Sequence, residues 1–183
     1  MPEPRSANEP TELGGYVLRR VCRAPREFVF EAWTKAEHFS RWFGPDGFQM
    51  PSCEIDARPG GVIRFTHRAA DGMTLHLKGT FRDVVPNTRL ELTLGFVDER
   101  GRPVRHPMFA EWPLEAMIEM IVLLEDVAEG TRVTIRQYTS PARVAAHEAV
   151  KENQRLAVEV WKQVLAHLDE HLSLAAAREE HPT

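Results

Sequence analysis

From Ser140 to about Leu172 the chain carries one helical stripe: Val150, Gln154, Ala157, Trp161, Val164, Leu165, Leu168 and Leu172 fall on the same side of a helix. Ser140 stands at the N-cap and Pro141 in the first turn, where its missing N–H costs nothing. A helix of this length with an apolar side must lie on a broad apolar surface. The residues ahead of it supply one. From Phe48 onward short alternating runs are separated by turn residues: "RPGG" at 58–61, "AADG" at 69–72, "VPNT" at 85–88 and "AEG" at 128–130. That pattern reads as an antiparallel meander. The fold class is therefore α+β, with a sheet that curls around the final helix to bury it.

Two shorter helices precede the meander. "YVLRRVCR" alternates as a strand, and Ala24-Pro25 opens a helix in which Phe28 and Ala32, and Val29 and Trp33, stand four apart. Thr34-Lys35-Ala36-Glu37 has the form of a capping box, so a second helix is expected to start at Thr34. In "FSRWFGPDG" the aromatics Phe39, Trp42 and Phe43 share a stripe of that helix, and Gly44-Pro45 ends it. Such a stripe belongs to a core, so Trp42 is expected to be buried.

Apolar patterning also fixes two strand registers. A two-residue turn at Asp71-Gly72 would set His67 opposite His76 as a candidate metal pair, but it would mix inner and outer faces along the ladder. A three-residue loop with Gly72 in the left-handed region instead pairs Phe65 with Leu77 and Ile63 with Gly79, sends His67 inward and turns His76 to solvent. No metal site is assigned, because further ligands are not evident. In the last hairpin, Leu124 pairs with Val133, Val122 with Ile135 and Met120 with Gln137, which makes Gln137 an inward polar group; Glu119 faces outward. The segment 97–113 is too long for a hairpin and carries Met108, Phe109 and Trp112, which suits a flap or lid over an entrance.

The composition removes several functions. A net charge of -4 with no dense basic block argues against nucleic acid as a partner. No apolar run approaches the roughly 20 residues that span a bilayer, so no membrane partner is expected. "MPEPRSANEP" lacks the apolar core of a signal peptide and reads as a disordered leader of a cytoplasmic protein. Cys22 and Cys53 are read as free thiols. No GxSxG, Walker, GxGxxG or HExxH pattern occurs, and no catalytic residue or cofactor is assigned.

"APREFVFEAWTKAEHFSRWFGP", "EIDARPGGVIRF", "LKGTFRDVVPNTRLELT", "GTRVTIRQY" and "VWKQVLAHL", in that order, closely resemble the heat-shock-protein ATPase activator homologue family of the START-like SRPBCC superfamily. The resemblance covers roughly residues 16–170 and implies the helix-grip fold, in which sheet and long helix enclose a cavity that often holds a small apolar molecule. The chain is accordingly divided into a disordered leader (1–14), a START-like domain (15–173) and a frayed tail (174–183). The glycine common before the last-helix tryptophan is Val160 here, a larger side chain that shrinks any cavity it faces. The superfamily includes carriers, receptors, cyclases and chaperone-binding domains, so fold does not choose among them.

The leading reading is a ligand-binding protein for an apolar, lipid-like or aromatic molecule. Its site residues are Phe65, Phe81, Met120 and Trp161 as walls, His67, Gln137 and Gln154 as the polar end, and Trp112 at the entrance. The alternative is a protein-interaction module of the chaperone-regulator kind, and a cyclase or dehydratase ranks third. A homodimer and a protein partner both stay open.

Overall fold

The computed structural model describes residues 15–106, 113–140 and 148–180. In chain order the elements are β1 (Tyr16–Cys22), α1 (Arg26–Thr34), α2 (Ala36–Trp42), β2 (Phe48–Ile55), β3 (Val62–Ala69), β4 (Thr74–Val85), β5 (Arg89–Val97), β6 (Met117–Val127), β7 (Gly130–Ser140) and α3 (Glu148–Glu180). The strands form one antiparallel sheet in the order β1-β7-β6-β5-β4-β3-β2. It curves around α3, and the two short helices after β1 close one end.

The registers follow the apolar patterning. Phe65 pairs with Leu77 and Ile63 with Gly79, and Gly72 takes φ +89° in the loop between β3 and β4. His67 lies opposite Leu75, and His76 lies opposite Thr66, whose hydroxyl is 3.0 Å from its Nδ1. Leu124 pairs with Val133, Val122 with Ile135 and Met120 with Gln137. Trp42 is 1% exposed and donates its indole N–H to the Ala32 carbonyl at 2.8 Å. "FSRWFGPDG" thus starts as core and ends as a corner.

Two details differ from the sequence reading, and a third is only partly described. Thr34 caps nothing: its hydroxyl donates back to the Phe30 carbonyl at 2.8 Å, and the extended residue before α2 is Lys35, at φ -100° and ψ 124°. The capping box fails because the chain bends one residue later than the motif requires. Val160 lies on the outer side of α3, 37% exposed, so it does not narrow the interior. Ser140 ends β7 and donates its hydroxyl to Glu119 Oε1, while the expected helix start at Pro141 lies outside the described residues. Glu119 is on the outer face, opposite Thr93 and Tyr138, but it is buried at 3% exposure and also takes Arg82 Nη2 at 3.0 Å. Both cysteines are free.

Candidate functional site

A row of polar side chains runs along the inner face of the sheet beneath the first half of α3. Alternation on β7 directs Gln137 and Thr139 inward, and both are buried. The Trp161 indole N–H donates to Gln137 Oε1 at 3.1 Å, and Gln154 Nε2 donates to the Thr139 hydroxyl at 3.3 Å. Further toward the start of α3, Asn153 Nδ2 lies 3.2 Å from His106 Nε2. His106 packs on Phe96, with ring centroids 4.2 Å apart, and burial pushes its pKa down to about 4. Across the ladder from Gln137 stands Tyr16, whose phenol burial pushes above its ordinary range.

His67 marks the other end of the interior. Its Nε2–H donates to the Phe43 carbonyl at 2.9 Å, its ring lies 5.1 Å from Phe65, and burial lowers its pKa. The one N–H a neutral imidazole carries is therefore already used. Phe43 joins this end to the helix, since its ring lies 6.2 Å from His67 and 5.7 Å from Trp161. Phe81 and Met120 line a void together with Trp33, Phe39 and Phe43. Its volume is about 10 Å³, the room of a single water.

The structure thus brings Phe65, His67, Phe81, Met120, Gln137, Gln154 and Trp161 onto one inner surface, but aromatic rings fill the space between them. Trp112, Met108 and Phe109 lie outside the described residues. The sequence reading passed over Tyr16, Trp33, Thr139, Asn153 and His106. Tyr16 alternates with Leu18 on β1, which was enough to place it inward. Asn153 and His106 meet only through the return of a long loop, for which the sequence carries no periodic signal.

A second concavity, about 770 Å³, lies outside the grip where α2 turns into β2. His167 fastens this corner to α3, with Nδ1 3.0 Å from the Gly44 carbonyl and Nε2 2.8 Å from Asp46 Oδ1. His38 Nδ1 and His171 Nε2 share a hydrogen bond of 3.0 Å on its wall. Among the described residues no group of three or more His, Cys, Asp or Glu side chains is placed to hold a metal ion.

The model of the activator of Hsp90 ATPase homolog 1-like protein family matches residues 23–173. The chain belongs to that family. Solved structures share its fold over most of the chain. A crystal structure of a Chromobacterium violaceum protein is 26% identical, with a TM-score of 0.66 over 85% of this chain and 95% of that one. A Mycobacterium smegmatis protein at 16% identity has a TM-score of 0.74 over 92% and 97%. The AHSA1 protein of Silicibacter pomeroyi, at 18% identity, has a TM-score of 0.67 over 87% and 97%. No curated protein matches the chain. For this family member the comparisons establish the helix-grip frame, and its chemistry rests on the side chains above. Among the described residues no helix is long and apolar enough to cross a membrane.

Proposed function

We propose that the protein binds a small, mostly apolar molecule between the sheet and the first half of α3. The observation that carries this reading is the polar row of buried Tyr16, Gln137 and Thr139 with half-buried Gln154 above them, on a surface that packing alone would make apolar. Phe65, Phe81, Met120 and Trp161 supply the walls, and Gln137 and Gln154 orient the polar end. His67 has a lesser part, because its N–H is held by Phe43. Binding in a space this full requires the start of α3 to move outward, against the burial of Val150 and the contacts of Gln154 with Thr139 and Asn153 with His106.

Thermal-shift titration of fatty acids, sterols and fused-ring aromatics against wild type, Gln137→Leu and His67→Ala tests the reading. A binder present at a hundredfold its dissociation constant adds about 2.7 kcal/mol. Hits should weaken in Gln137→Leu and persist in His67→Ala. No hit in the whole panel removes the reading. It would favour the interaction-module alternative, which the filled interior and the outer concavity of about 770 Å³ support.

A further inference from the structure

Among the described residues five buried side-chain polar atoms lack a hydrogen-bond partner, and two of them belong to neutral side chains of the interior: the Tyr16 hydroxyl and the Trp33 indole N–H. Their residues are only 5% and 3% exposed. The neighbouring indoles are satisfied, Trp42 by the Ala32 carbonyl and Trp161 by Gln137. Native interiors rarely leave such groups open, and an open one calls for a partner, either a water or a ligand.

The two atoms belong to one connected set. Tyr16 faces Gln137 across the ladder, and Gln137 holds Trp161. Trp161 stacks on Trp33 at 6.2 Å and 25°, and Trp33 lines the interior void. The Tyr16 hydroxyl lies within hydrogen-bonding reach of Trp161 and Gln137, which lower its pKa against the larger effect of burial, but neither contact has full hydrogen-bond geometry.

An indole N–H can only donate, and a phenol whose neighbours Trp161 and Gln137 act on its oxygen as donors keeps its own O–H to give. Among the described residues no charged group acts on the Tyr16 hydroxyl. His67 is kept toward its neutral form by burial, and Arg20 is taken by Asp169 near the far end of α3. A carboxylate here would be buried without a cation, and an ammonium would face donors. We propose that the interior takes an uncharged ligand whose polar end consists of one or two acceptor oxygens of the carbonyl type, received by the Tyr16 hydroxyl and the Trp33 indole N–H. This rests on the interior-binding reading above and replaces its undefined polar end with a stated chemistry.

A matched set of naphthalenes substituted at the same ring carbon tests it: acetylnaphthalene, ethylnaphthalene, naphthoate and naphthylmethylamine, titrated into the full chain with tryptophan emission as the readout. A ketone gives up more hydration than a hydrocarbon, so a purely apolar site prefers ethylnaphthalene. The expected result is the reverse, with acetylnaphthalene tighter by about tenfold and both ions weaker than the hydrocarbon. Tyr16→Phe, which removes only an unpartnered hydroxyl, should leave the melting temperature unchanged or higher while bringing ketone and hydrocarbon to within about threefold of each other. Trp33→Phe should lower ketone affinity further in the Tyr16→Phe background. Equal affinity of ketone and hydrocarbon in wild type, or a ketone preference that survives Tyr16→Phe, overturns the donor assignment and leaves interior binding standing. Naphthoate as the best ligand overturns the uncharged class. If none of the four binds, interior binding fails, and this assignment fails with it.

Discussion

The two halves of α3 are held by different forces. From Trp161 to Leu172 the stripe is buried: Trp161, Val164, Leu165, Leu168 and Leu172 pack on β1, α1 and α2. Arg20 with Asp169, His38 with His171 and His167 with the Gly44–Asp46 corner tie down the flanks. Between Lys151 and Val160 no residue is buried, and Leu156 and Val160 point to solvent. That stretch meets the rest of the protein through half-buried Ala157 and Val158, through Gln154 on Thr139 and through Asn153 on His106, and Arg155 pairs outward with Glu152. Apolar burial outweighs exposed or half-exposed polar contacts by a wide margin. The described part of α3 is therefore held firmly from Trp161 onward and more lightly between Lys151 and Val160, behind the buried Val150, which suits a grip that opens without unfolding.

The contrast can be broken at its strong end. Leu168 is fully buried, so Leu168→Ala should cost about 2 to 5 kcal/mol in denaturant unfolding. A loss under about 1 kcal/mol would show that the anchored half is not anchored by packing.

Acid should act on the weak end. His106 takes up its proton near 6.5 when unfolded and only near 4 when buried, so the unfolded state binds more protons between those values. Stability is then full above that window and falls by about 3 kcal/mol as pH drops through it. His67, lowered for the same reason, adds in the same direction. Unfolding free energies from neutral pH down to the acid limb, in wild type and His106→Gln, give the measurement; an unchanged slope in the variant would discard the assignment.

The smallest effects sharpen the difference. Gln154→Ala should lose about 0.5 to 1.5 kcal/mol, the net value of one hydrogen bond, and should speed amide exchange from Val150 to Val158 more than from Val164 to Leu172. Uniform acceleration along α3 would mean that the two halves move as one.

Much of this architecture is legible in the sequence because period-two alternation admits one register at a time. Met120 opposite Gln137, and Phe65 opposite Leu77, follow from that rule alone. Local motifs were less reliable. Thr34 matched a capping box, but Lys35 took the extended conformation, and a hydroxyl in the last turn of α1 finds the Phe30 carbonyl first. Val160 was misjudged because a residue next to an inward tryptophan is turned about 100° away around the helix. At the site, the inward side chains could be read, but what they bond to could not. His67 gives its N–H to the carbonyl of Phe43, a backbone atom that no residue pattern announces. That Tyr16 and Trp33 lack acceptors depends on every neighbour at once.

The position of β1 bears on how the chain is made. Strands β2 to β7 each lie beside the next in sequence, so each can pair as soon as the following strand emerges from the ribosome. The first strand is synthesised earliest, yet its only neighbour is β7, with Tyr16 opposite Gln137 and Cys22 opposite Thr131. Until β7 has been made, β1 waits without its partner strand. Loop closure over such a separation is slow, and unpaired strands exposed meanwhile are prone to aggregate. Release of the nascent chain before Gly130 would leave this strand permanently single, so yield in a cell depends on translation reaching the final hairpin as much as on the stability of the finished fold.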